Sequence, residues 1–183
     1  MSSLIIKGDT SGAITLSAPN AAGDSTYTLP AVNGSVMVSG NMPAFFAYKN
    51  GVPQSITNAT FTKITFNAFD YNTAGSMFSS STFTPTIAGY YQISAGISNL
   101  AGNTPTRTIV SIFKNGSGYA GFGDYTNSSS YRTYGSVLVY CNGTTDYIEL
   151  YAYLAGSSLS VDYGQSTGVG YNTYMSGVLV RAA

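Results

Sequence analysis

Four Asn-Gly pairs, at 33–34, 50–51, 115–116 and 142–143, punctuate this chain and limit what it can fold into. Both residues tolerate the positive φ that a two-residue type I′ hairpin demands, so each pair predicts a tight reversal between antiparallel strands. The runs they separate are rich in β-branched and aromatic residues, and none carries the period of an amphipathic helix. Strand-like runs fall at 44–49, 61–66, 89–100, 106–114, 118–124, 132–141, 147–155 and 171–181, with Phe78 and Phe83 flanking one more short hairpin. Roughly eight strands at this spacing, with turn residues between them, predict an all-β antiparallel sandwich or barrel.

Alternation sharpens that reading. Along 147–154, Ile148, Leu150, Ala152 and Leu154 occupy one face and Tyr147, Glu149, Tyr151 and Tyr153 the other, and the first set belongs in a core. In 89–100 the alternate positions are Tyr91, Ile93, Ala95 and Ile97. Two runs break the pattern: both faces of 174–180 carry apolar or aromatic side chains, and so do both faces of 109–113. A strand of a solitary sandwich turns one polar face to water. Two greasy faces predict a second covering layer, expected here to be another copy of the chain in a closed homo-oligomer.

Charged residues make up only 8% of the 183 residues, seven basic against seven acidic. Ordinary domains carry about a quarter, and a nucleic-acid binder needs a basic footprint for the phosphates, so that class is disfavoured. The surface falls instead to Ser, Thr, Asn, Gly and the hydroxyl ends of 16 tyrosines. Histidine is absent, which removes Ser-His-Asp and Cys-His catalysis and nearly all zinc sites. Cys141, the single cysteine, is expected to be a buried strand residue and has no intrachain partner. Asp146 and Glu149 fall on opposite faces of a strand, while Asp124 and Asp162 stand in loops, where aspartate ordinarily forms turns. Neither pair predicts a glycosidase, and the acidic residues are too sparse for the oxygens that a calcium ion wants. No enzymatic activity, metal or cofactor is expected. No apolar run approaches a membrane span, and Met1-Ser2-Ser3 opens without a signal region, so neither membrane insertion nor signal-peptide export is expected.

Residues 4–40 read as strand fragments, at 4–6, 13–16, 26–29 and 35–38, broken by Gly8-Asp9, Pro19-Asn20, Gly23-Asp24, Pro30 and Asn33-Gly34. They hold too few apolar residues for a core and need strand partners. A boundary at 41–43 divides the chain into a β-rich shaft, 1–42, and a head, 43–183.

Several motifs of the head, in order, resemble the C1q/tumour-necrosis-factor-like family. They are Phe66 with Asn72 six positions on, Phe83 with Gly89 and Tyr91, the turn Lys114-Asn115-Gly116, the run Gly143-Thr144-Thr145-Asp146-Tyr147-Ile148-Glu149-Leu150, and Met175-Ser176-Gly177-Val178-Leu179. Phe78 lies one residue later than in that family's pattern, and the turn from Phe78 to Phe83 is shorter. The resemblance covers 44–182 and implies a trimeric jelly-roll β-sandwich. The run SGAITLSAPNAAGDSTYTLPAVNGSVMVSG, across most of 10–40, is similar to a segment upstream of the tip domain in many bacteriophage tail-fibre proteins. Together the two resemblances imply a homotrimeric virion tail-fibre protein, joined to other virion tail proteins and extracellular after release. Its head would bind a host-cell surface receptor, glycan or protein. The alternatives are a structural trimerisation, capsid or baseplate decoration module, and a bacterial surface or spore-coat protein with a similar head.

Antiparallel order places the receptor site. If successive strands reverse, both termini of the head emerge at one end of the sandwich, beside the shaft, and the opposite end collects 100–105, 124–131 and 156–171. The residues expected at that free tip are Asp124, Tyr125, Asn127, Tyr131, Asp162, Tyr163, Gln165 and Tyr171. Tyrosines beside Asp, Asn and Gln combine flat apolar faces with hydroxyl and amide hydrogen bonding, which suits sugar rings.

Overall fold

The computed structural model describes residues 3–7, 10–17, 26, 42–100, 102–126, 132–163, 165–166 and 170–183. The chain divides into two compact units, Met1–Ser35 and Val36–Ala183. In the first, β1 (Ser3–Lys7) and β2 (Ala13–Ser17) form an antiparallel hairpin with Ile5 opposite Thr15. Its Ile5, Ile6, Ile14 and Leu16 are each more than half exposed, and a lone two-stranded hairpin is marginal in water. The fragments expected at 26–29 and 35–38 lie, Thr26 apart, outside the described residues.

The second unit contains β3 (Ala44–Tyr48), β4 (Gln54–Ser55), β5 (Thr62–Lys63), β6 (Ala68–Asn72), β7 (Phe78–Ser79), β8 (Thr82–Phe83) and β9 (Gly89–Ser98). It continues through β10 (Thr104–Lys114), β11 (Ser117–Thr126), β12 (Arg132–Cys141), β13 (Ile148–Ser157), β14 (Ser160–Val161), β15 (Gln165–Ser166), β16 (Gly170–Tyr171) and β17 (Tyr174–Ala182). Five strands form one sheet, β12-β9-β17-β3-β6; six form the other, β11-β10-β13-β8-β7 with β5 also on β13. Every ladder within the two sheets is antiparallel. A single 3₁₀ turn, Gly75–Met77, is the helical element among the described residues.

The core lies between the sheets, on the faces that the alternation assigned. Ile148, Leu150, Ala152 and Leu154 from β13 meet Tyr91, Ile93, Ala95 and Ile97 from β9, all essentially without solvent exposure. Burying each large side chain contributes about 1.5–3 kcal/mol. Phe45 closes one side of this layer, its ring 4.4 Å from Phe78 and 4.8 Å from Phe83.

The turns divide according to what satisfies their backbones. Asn115 (φ 53°) and Gly116 (φ 76°) both take the left-handed conformation between β10 and β11, the predicted type I′ reversal. The other two described pairs depart from it, with positive φ at Gly51 and Gly143 but not at Asn50 or Asn142. Asn142 instead accepts the N–H groups of Thr144, Thr145 and Asp146 on its Oδ1, an Asx-type turn that removes the need for a hairpin geometry. Conversely, Ser80 (φ 50°) and Ser81 (φ 59°) make the left-handed reversal between β7 and β8 without glycine or asparagine.

The run 61–66 is not a continuous strand; only Thr62 and Lys63 join the ladder of β13. The Gln54 amide stands in for the missing neighbour, donating to the Lys63 carbonyl (2.7 Å) and accepting from the Thr65 N–H (2.9 Å). The Phe66 N–H is taken by Ser81 Oγ at 2.7 Å.

Candidate functional site

Hydrogen bonds at the chain ends define the two ends of the sandwich. The Leu179 N–H donates to the Pro43 carbonyl (3.1 Å) and the Ala183 N–H to the Ala88 carbonyl (2.9 Å), so the head begins and finishes at one end. At the other, β9 ends and β12 begins with Ser98 opposite Arg132, β13 ends and β10 begins with Ser157 opposite Thr104, and β17 begins with Tyr174 opposite Gly96.

Asp162 anchors the loop at this end. Its N–H donates to the Ser98 carbonyl (2.7 Å), its Oδ1 accepts the Tyr163 N–H (2.8 Å), and its Oδ2 accepts the Asn172 amide (2.9 Å). The buried Asn172 accepts Arg132 Nη2 on its own Oδ1 (3.1 Å), and the buried Thr173 accepts the Ser98 N–H on Oγ1 (3.2 Å). Asp162 is thus a brace whose two oxygens are engaged within the chain, and it leaves Tyr163 exposed beside it.

Among the remaining described candidates, Gln165 pairs with Tyr171 across β15 and β16, and Asp124 stands apart from them. Asp124 lies on the outer side of the six-stranded sheet, paired in both directions with Arg107 (Nε–Oδ1 2.8 Å, Nη2–Oδ2 2.7 Å). The guanidinium beside it holds its carboxyl below the usual carboxylate range. Tyr171 goes to the opposite side of the sandwich. Its ring lies 4.1 Å from Tyr48 and 5.1 Å from Phe46, and its hydroxyl donates to Asp70 (3.3 Å). For Tyr125 and Gln165 the described part is the backbone, in β11 and β15; Asn127 and Tyr131 lie outside the described residues. Of the expected tip set, Asp162 and Tyr163 stand together, whereas Asp124 and Tyr171 face away from each other on the two outer faces.

Those outer faces hold the residues that loop reasoning missed. On the five-stranded sheet, the outward positions of β9 and β17 are Tyr90, Gln92, Ser94, Gly96, Tyr174, Ser176 and Val178, and a register shift after Leu179 leaves Val180 exposed and sets the exposed Arg181 opposite Tyr90. Phe46 stacks on Tyr174 (5.1 Å, 11°), Tyr174 on Tyr134 (5.7 Å, 27°), and Tyr90 sits 5.3 Å from Tyr140. Gly96 lets the Tyr134 ring lie flat across β9, since a Cβ there would fall inside it. Partial burial pushes the Tyr134 and Tyr174 phenols up. Yet Tyr90, Tyr134, Leu138, Tyr140, Val178 and Val180 all remain exposed in the single chain. The sequence signal for this face is the even-numbered set of 89–98 and 132–141, opposite the core positions.

On the six-stranded sheet the outward Phe113 has aromatic neighbours within the chain, and Ile109 and Phe113 are half-buried. Phe113 stacks on Tyr151 (4.1 Å, 27°), and Phe61 packs 5.4 Å from both Phe113 and Tyr153. Between the rings, Lys63 Nζ reaches Glu149 Oε1 (2.7 Å) and Thr82 Oγ1 (2.6 Å), and Tyr151 donates to Glu149 Oε2 (3.4 Å).

No protein-family model and no curated protein matches this sequence. In fold the chain is similar to the crystal structure of murine APRIL at pH 8.5. The TM-score is 0.52 at 10% identity, covering 76% of this chain and 100% of that one. The murine APRIL structure at pH 8.0 gives 0.52 at 11% identity over the same shares. At such identity the likeness concerns the fold alone, and the head is a jelly roll of the tumour-necrosis-factor-like type.

Proposed function

We propose that this chain is a bacteriophage tail-fibre protein, a homotrimer whose heads meet through the outer face of the five-stranded sheet. Its loop end, away from both head termini, binds a host-cell surface receptor, glycan in the first instance, without a catalytic step. The observation that carries the reading is the outer face of the five-stranded sheet, where Tyr90, Tyr134, Leu138, Tyr140, Val178 and Val180 are exposed and Arg181, opposite Tyr90, is the one charged residue of β9 and β17. Exposed aromatic and apolar side chains gathered on one sheet face mark a contact site, and three copies around an axis bury identical faces without leaving an open end. The virion setting is supported by the resemblance of residues 10–40 to tail-fibre shafts.

Asp124 and Asp162, the two carboxylates expected in loops, are committed to separate partners, Arg107 and Asn172. Recognition is assigned to Tyr163, beside Asp162, and to Tyr125, in β11. Tyr163→Ala and Tyr125→Ala are expected to weaken adsorption to host cells while native mass stays at three times the 19.1 kDa of one chain. Unchanged adsorption in both variants would overturn the tip assignment; a native mass of one chain would overturn the trimer.

A further inference from the structure

The Asn-Gly pairs that shape the turns also carry a latent reaction. The glycine amide nitrogen, once deprotonated, attacks the asparagine Cγ and forms a new N–C bond. The bond from Cγ to the side-chain nitrogen breaks, that nitrogen takes a proton from solvent and leaves as ammonia, and a succinimide remains. Water then opens the ring at either carbonyl to give aspartate or isoaspartate. The step needs a side-chain amide free to turn and room around the glycine, which lacks a Cβ to hinder attack.

The described pairs differ in both respects. Asn115 is held at each end of its amide, donating from Nδ2 to Asp146 (2.7 Å) and accepting the Tyr147 N–H on Oδ1 (2.9 Å). Asn142 accepts three backbone N–H groups on Oδ1 and donates from Nδ2 to Thr145 at 2.8 Å. Their glycines are crowded: a Cβ at Gly116 would meet the Tyr147 hydroxyl at 3.2 Å, and one at Gly143 the Ala88 nitrogen at 2.5 Å. Asn50 is exposed, and its side chain has no hydrogen bond among the described residues. Nothing lies within 4 Å of a Cβ built on Gly51.

We infer that Asn50-Gly51 is a spontaneous deamidation site of the folded protein, and that the fold protects Asn115 and Asn142. The residues flanking Asn50 and Asn115 are the same, Lys-Asn-Gly in both cases, so a difference between them comes from structure rather than local sequence. Conversion places a negative charge in the loop after β3, at the end of the sandwich away from the head's termini. It also disturbs the Asn67 clamp, in which that side chain accepts the Asn50 N–H (2.7 Å) and donates to the Asn50 carbonyl (2.8 Å).

The test is timed incubation of the full chain at mildly alkaline pH, with peptide mapping by mass spectrometry and methyltransferase labelling of isoaspartate. In the native protein, conversion at Asn50 is expected to be at least roughly tenfold faster than at Asn115 or Asn142, equivalent to about 1.4 kcal/mol in barrier. In denaturant, Asn50 and Asn115 are expected to convert at comparable rates. Equal native rates, or a preference for Asn50 that survives denaturation undiminished, would overturn the inference.

Discussion

The two outer faces of this sandwich begin from similar sequence and end differently. Both carry aromatic side chains at positions that alternation turns away from the core. On the six-stranded sheet, Phe61, Phe113, Tyr151 and Tyr153 pack on one another around the Lys63–Glu149 pair, and Arg107 lies 5.6 Å from the Tyr153 ring while holding Asp124. On the five-stranded sheet the middle strands offer tyrosine, valine, serine, glutamine and glycine outward, with Arg181 alone charged near the end of β17, and the rings of Phe46, Tyr174 and Tyr134 stack along the sheet. The two runs with apolar residues on both faces, 109–113 and 174–180, therefore differ in the neighbours that the single chain gives them. The six-stranded face has two ion pairs beside its rings, Lys63–Glu149 and Arg107–Asp124, whereas on the five-stranded face Lys114, paired with Asp146, lies 5.9 Å from the Tyr140 ring on the edge strand β12.

The largest expected effect comes from placing charge on the uncovered face. Leu138→Asp, on the edge strand β12 of that sheet, is predicted to dissociate the proposed trimer, since truncating an interface hot spot typically costs about 2 kcal/mol or more. Tyr119→Asp is the matched control, because both residues are 48% exposed in the single chain but Tyr119 stands on β11 of the other sheet. Sedimentation should separate the two variants, and equal dissociation would erase the contrast between the faces. A smaller effect is expected from Glu149→Ala, which leaves Lys63 and Thr82 without their acceptor. It should lower stability by about 2 kcal/mol in denaturant melts while the oligomer mass is unchanged.

The smallest effect is a titration on the inner side of the five-stranded sheet. Burial, then the neighbouring Cys141, pushes the Tyr91 phenol up to about 12 from an ordinary 10.0, and burial pushes the Cys141 thiol up to about 11 from 9.0. Both pKa values are higher folded than unfolded, so their stabilisation is complete below about pH 9 and is lost as pH rises through about 11 to 12. Tyr91→Phe should make that alkaline limb shallower, at the cost of the hydrogen bond from Tyr91 to the Ile87 carbonyl (2.7 Å). A limb of unchanged slope would remove Tyr91 from the account.

Much of the fold was legible because it rests on local rules. The core positions of β9 and β13 follow from period-two alternation, and Asn115-Gly116 follows from which residues accept positive φ. The rest depends on partners distant in sequence. Glu149 reads as an outward residue, yet it is buried because Lys63 and Thr82 arrive from elsewhere to cover it. The turn at Ser80-Ser81 carries neither glycine nor asparagine to announce it. Tyr171 reads as a loop-tip residue, and at that end of the sandwich its ring lies against Tyr48 and Phe46 on the outer face of the five-stranded sheet. No one-dimensional pattern says whether a loop tyrosine turns outward or folds back onto a neighbouring strand.

The central claim, that copies of this chain cover one face and leave the other wet, is most directly tested by covalent footprinting of tyrosines in the native protein. In the single chain Tyr90, Tyr134 and Tyr140 are 40%, 42% and 41% exposed, against 48% for Tyr119. The account predicts strong labelling of Tyr119 and protection of the other three, lost together in Leu138→Asp. Equal labelling of all four in the native protein would contradict it.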